Sequence, residues 1–183
     1  MYSIWALMHD KWKDRFTDGV RQIDTDHSYI HDGDAYEVSI NSAVNTTLAV
    51  GFENRTTAPT KFAHFRMPNV AIDGLAVTFS IYEGSTVAST GAEATPYNRN
   101  RLAGKTAEFK VTTGDGSGST YTKIHEEVIF GGSGPGNTKV GAQSAQQLEW
   151  VLDNTKKYVL KFVSTASVNL GANMFWYEEE QGV

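Results

Sequence analysis

Leu75, Val77, Phe79 and Ile81 alternate with Ala76, Thr78, Ser80 and Tyr82. A period of two suits a strand with one buried and one wetter face, and it does not suit a helix. The alternation recurs in Phe62-Ala63-His64-Phe65-Arg66-Met67 and in Tyr158-Val159-Leu160-Lys161-Phe162-Val163. It predicts strands near Ala35–Ala43, Thr47–Glu53, Lys61–Met67, Leu75–Glu83, Ala107–Thr113, Tyr121–Phe130, Gln147–Leu152, Tyr158–Ser164 and Asn169–Tyr177. Turn chemistry separates them at Asn54-Arg55, Asp73-Gly74, Gly114–Ser119 and Gly131–Asn137. Glycine supplies positive φ there, and Asn and Asp supply local hydrogen bonds. Asp153–Lys157 reads as a hairpin connection between two aromatic-rich strands. About eight or nine short antiparallel strands predict an all-β chain, an antiparallel β-sandwich of jelly-roll type.

With 183 residues, 40% hydrophobic and 11% aromatic, the chain fits one globular core with an appended arm. The expected division is an N-terminal arm over residues 1–30 and a β-sandwich over 31–183. A formal net charge of −5 argues against a general nucleic-acid binder. The absence of an apolar run long enough for a bilayer, or of a basic-then-apolar start, argues against a membrane partner or a signal segment. Zero cysteines exclude disulfides and cysteine-ligated metal sites.

Within the arm, Trp5, Met8, Trp12 and Phe16 stand three, four and four apart, with charged residues between them. This is the stripe of an amphipathic helix. It either packs on its own domain or anchors the arm on a neighbouring subunit, since tryptophans suit interface anchoring.

The polar loop after Glu83-Gly84 ends in Asn98-Arg99-Asn100-Arg101. Two arginines beside two amides make a contact surface, because guanidinium forks recognise carboxylates and carbonyl oxygens bidentately. The segment Asp24–Asp34 gathers His27, His31 and four aspartates. It lacks the twelfth-position glutamate of a calcium loop, where Ala35 stands, so the expectation is a polar junction without a metal, with Asp32-Gly33-Asp34 as a turn. There His31 and Asp32 would hold the first strand through side-chain-to-backbone bonds. The glycine-rich loops lack the lysine and Ser/Thr of a phosphate loop and read as linkers. His64 and His125 fall on strands with no nucleophile motif nearby. The acids at Glu178–Glu180 read as a solvated tail. The expectation is a chain with no catalytic residues and no cofactor.

Several segments, in order, resemble a group of small virion structural proteins of tailed bacteriophages. They are His31-Asp32-Gly33-Asp34-Ala35-Tyr36, Ile81-Tyr82-Glu83-Gly84, Thr95-Pro96-Tyr97-Asn98-Arg99-Asn100-Arg101, Gly131-Gly132, Glu149-Trp150-Val151-Leu152, Asn154–Tyr158 and Phe175-Trp176-Tyr177-Glu178-Glu179. The resemblance spans about residues 30–180 and leaves the aromatic arm uncovered. It implies a capsid decoration or cement protein with a sandwich fold, placed on the capsid exterior and assembled in the host cytoplasm. The implied partners are the major capsid protein and further copies of the chain, as a dimer or trimer. On that reading Trp5, Met8, Trp12, Phe16 and Asn98–Arg101 make the capsid or subunit contacts. The competing expectations are a carbohydrate- or receptor-binding sandwich of a tail or head fibre, with Trp150, Trp176 or Tyr97 stacking on sugar rings, and a hydrolase of surface polysaccharide.

Overall fold

A computed structural model describes residues 25–84, 91–114, 122–131, 139–140 and 148–180. Trp5, Met8, Trp12 and Phe16 lie outside the described residues. Among the described residues the helix α1 (Thr25–Asp32) precedes β1 (Ala35–Val44), β2 (Thr47–Asn54), β3 (Lys61–Arg66), β4 (Asn69–Asp73), β5 (Val77–Glu83), β6 (Glu93–Ala94) and β7 (Tyr97–Asn98). Then come β8 (Phe109–Gly114), β9 (Thr122–Ile129), β10 (Lys139–Val140), β11 (Glu149–Leu152), β12 (Lys157–Val163) and β13 (Val168–Glu180). The chain is all-β, two antiparallel sheets packed as a sandwich.

One sheet runs β10-β4-β13-β1-β7, with β3 also on β13 and β11 on β3; the other runs β6-β8-β2-β12-β5-β9. Strand β13 is the spine of the first. One of its edges pairs with β1 from Val168 to Tyr177. Its other edge pairs first with β4 and then with β3. Alternation sends Ala63, Phe65, Met174 and Trp176 inward, where each is at most 1% exposed. Phe52 of β2 meets Phe65 at 5.3 Å, Phe109 at 4.9 Å and the edge of Trp176 at 5.1 Å between ring centroids. This aromatic cluster joins the sheets, and each such ring contributes about 1.5–3 kcal/mol by burial.

The helix ends where Gly33 takes φ 77°. Gly33 N–H donates to Ile30 O at 3.1 Å and Asp34 N–H to Tyr29 O at 2.9 Å, the paired bonds of a Schellman cap. The sequence-predicted turn at Asp32–Asp34 is this cap.

Four expectations change. Asp153–Lys157 is not a hairpin: β11 pairs with β3 in one sheet and β12 with β2 and β5 in the other. The local turn chemistry is as read, with Asp153 Oδ1 accepting from Thr155, but the turn carries the chain across the sandwich. Leu75 is 56% exposed, and its strand starts at Val77. Glu178–Glu180 is no tail, because β13 continues through it and Glu178 is buried. The short strands β4, β6, β7 and β10 were not predicted. The last three have two residues each, too few for alternation to register.

Candidate functional site

The outer face of the seven-stranded sheet is set by strand parity. With Trp176 inward, Phe175, Tyr177 and Glu179 face out on β13, as do Glu37 on β1 and His64 and Arg66 on β3. Tyr97 of β7 stands opposite Glu37, and Glu149 of β11 opposite Arg66. Five strands therefore deliver tyrosine, phenylalanine, arginine, histidine and glutamate to one surface.

The sequence-predicted loop borders it. Arg99 N–H donates to Ala35 O at 2.9 Å, which continues the β7–β1 pairing. Its guanidinium lies 4.8 Å from the Phe175 ring centroid, with Nε 3.7 Å from Glu37 Oε2. Arg66 approaches the same ring at 5.5 Å, so two guanidinium groups share one aromatic ring.

The two amides are used inside the chain. Asn98 Nδ2 donates to Gly33 O at 2.7 Å and to Lys105 O at 3.3 Å, while its Oδ1 accepts from Asn100 N–H. Asn100 Nδ2 donates to His31 O at 2.9 Å, and its Oδ1 accepts from Leu102 N–H. The junction is thus held by asparagines reaching in from the loop, not by side chains of His31 and Asp32. Leu102, 97% exposed, stands at the tip beside exposed Arg101.

Next to Phe175 is a dense polar network. His64 Nδ1 lies 2.9 Å from Glu149 Oε1 and Nε2 lies 3.0 Å from Glu179 Oε2. Carboxylates only accept, so both contacts are hydrogen bonds when the ring carries both protons. Tyr177 OH donates to Glu149 Oε1 at 2.8 Å and Arg66 Nε to Oε2 at 3.2 Å. Burial by itself raises the Glu149 carboxyl, but the bonds from His64, Tyr177 and Arg66 outweigh it and hold the group below the usual glutamate range. Tyr177 stacks on His64 at 4.4 Å and on Tyr29 of α1 at 4.2 Å. Burial first, and then Glu179, push the Tyr29 phenol up to about 12. Both tyrosines are kept neutral, which suits them to donating hydrogen bonds and not to acting as bases.

His27 Nε2 and His31 Nε2 are 3.0 Å apart on α1, and no group of three His, Asp or Glu that could hold a metal occurs among the described residues. Asp34 instead pairs with Lys61 at 2.8 Å and Lys105 at 2.7 Å. Burial alone raises its carboxyl, and the two ammonium groups overcome that and lower it. Of the rings proposed for sugar stacking, Trp176 is in the core, Trp150 is partly buried against His125 at 5.1 Å, and Tyr97 is 55% exposed.

Sequence reasoning missed Phe175, Arg66 and Glu37 as companions of Arg99. Parity along β13 was the available signal for Phe175, while the approach of β7 to β1 has none. No family model, curated protein or solved structure matches the chain.

Proposed function

We propose that the chain is a virion structural protein of a tailed phage, a decoration or cement protein that docks on the major capsid protein lattice from outside the head. Its contact would run through the outer face of the seven-stranded sheet. The observation that carries the reading is the Arg99–Phe175–Arg66 surface with Arg101 and Leu102 standing clear beside it. Arginine and aromatic residues are enriched where protein interfaces gain most of their affinity.

The strand order supports the same reading. Strands β10-β4-β13-β1 face β2-β12-β5-β9, the arrangement expected of two Greek keys in a jelly roll, an architecture common in capsid proteins. The polar network at His64 supports binding over catalysis, because each partner is occupied by another and the tyrosines are held neutral. On a lattice, many weak copies clamp neighbouring subunits by mass action. The aromatic arm would add a second contact, on the capsid or on another copy of the chain in a dimer or trimer.

The test is co-sedimentation of the purified chain with phage heads. Arg101→Ala with Leu102→Ala should lower head occupancy several-fold and leave the thermal midpoint of the free protein within a few degrees, since neither residue is buried. Occupancy equal to wild type would overturn this contact. Arg99→Ala is the less clean variant, because it also removes an internal ion pair and a cation–π contact.

A further inference from the structure

We infer that the same outer sheet face carries, at its other end, a binding site for a neutral polyhydroxylated ligand about the size of one or two sugar residues. The site is an open groove of about 490 Å³ across β1, β13 and β4, within the usual size range for small-ligand sites. The inference does not depend on the docking reading. Glu37 and Asn41 are four residues apart on β1, so the groove begins about 14 Å from the Arg99 cluster.

Two cross-strand rows build it. Asn41 pairs with Gly171 and Gly171 with Ala71; Ala43 pairs with Asn169 and Asn169 with Asp73. Small residues form the floor while Asn41, Asn169 and Asp73 rise around it. Directly opposed side chains have Cβ atoms about 5 Å apart and diagonal ones about 7 Å, so the three polar groups span roughly one pyranose ring. Gly171 opens the floor: a Cβ there would stand 3.1 Å from Asn41 Oδ1.

No described protein group engages these polar side chains, so a ligand hydroxyl would have only water to displace. The side chains of Asn41, Asn169 and Asp73 are exposed and make no hydrogen bond or ion pair among the described residues, in contrast to those of Asn98 and Asn100 on the same domain. An amide beside a carboxylate offers donors and acceptors together, which suits adjacent hydroxyl groups that also do both. Among the described residues no lysine or arginine lines the groove, which disfavours phosphate or sulfate. A single carboxylate is too few ligands for a tight calcium site. No described aromatic ring lines it either, so affinity rests on hydrogen bonds and falls on the order of millimolar.

The experiment is an NMR titration of the full chain, observing the side-chain amides of Asn41 and Asn169 and the Gly171 N–H. The probes are glucose, galactose, rhamnose and N-acetylglucosamine, each taken to about 100 mM, well above a millimolar Kd. Saturable shifts at these groups with at least one sugar are expected. Gly171→Val, a β-branched residue suited to a strand, should fill the floor and abolish the shifts while amide dispersion elsewhere is retained. Asn169→Ala should weaken binding at least several-fold by removing a polar arm without filling space. Shifts at Asp73 and its neighbours with calcium chloride but no sugar would overturn the inference in favour of a cation site. No saturable shift with any of the four sugars would overturn it outright.

Discussion

At the scale of single residues, Glu178 is the least expected group in the molecule. Its carboxylate accepts Glu108 N–H at 2.9 Å, Phe109 N–H at 3.0 Å and Trp176 Nε1–H at 3.1 Å. It therefore pins β13 of one sheet to the start of β8 in the other. Burial pushes the carboxyl up, and the three donors, aided by Lys61, only partly pull it back. Glu178→Ala leaves all three donors without their acceptor and should cost about 2–4 kcal/mol, read from urea unfolding. Glu178→Gln keeps one acceptor oxygen and should cost less. The raised folded pKa also sets a sign. Ionisation is harder in the folded state, so wild type should lose stability relative to Glu178→Gln as pH climbs from about 4.3, the unfolded glutamate value, through the higher folded value. A difference between the two proteins that stays flat with pH would show that Glu178 does not titrate abnormally. The chain Glu178-Glu179-Glu180 reads as a tail because three acids in a row are ordinarily solvated. Only the approach of β8 reveals that the first of them is an acceptor for another strand.

At the scale of elements, the junction of α1, β1 and the loop after β7 decides where the arginines stand. Gly33 ends the helix in a left-handed conformation, and a Cβ at this position would collide with Ala103 Cβ. Gly33→Ala meets both strain and collision and should cost about 2 kcal/mol or more. In hydrogen-exchange measurements, protection should fall most at Asp34 and Arg99, whose N–H groups bond Tyr29 O and Ala35 O. Unchanged exchange at both would mean that the cap does not hold the loop. The turn was legible, because Asp-Gly ahead of an alternating run is turn chemistry readable from the chain alone, but the helix that it caps was not. The targets of Asn98 and Asn100 were not. They are backbone oxygens of Gly33 and His31, more than sixty residues away, chosen by the pairing of β7 with β1.

At the scale of the whole molecule, β9 is an edge strand of the six-stranded sheet among the described residues. Its inward positions, opposite Phe79 and Ile81, carry Glu127 and His125 in place of apolar residues. Inward-pointing charge at an edge discourages another strand from adding to it. Glu127→Val should therefore increase self-association in light scattering, with a thermal midpoint close to wild type; a protein that stays monodisperse would show the edge is guarded by other means. The sequence by itself determined the all-β character, most of the long strands, the turn chemistry and the polarity of the Asn98–Arg101 loop. Each of these follows from alternation or from the conformational preferences of neighbouring residues. The tertiary structure alone decided that Asp153–Lys157 crosses between sheets, that Glu178 is buried, that Arg99 meets Phe175 and Arg66, and that Asn41, Asn169 and Asp73 surround one groove. Each of those depends on which strands lie side by side, and strand adjacency is fixed by packing the whole core, not by any stretch of chain.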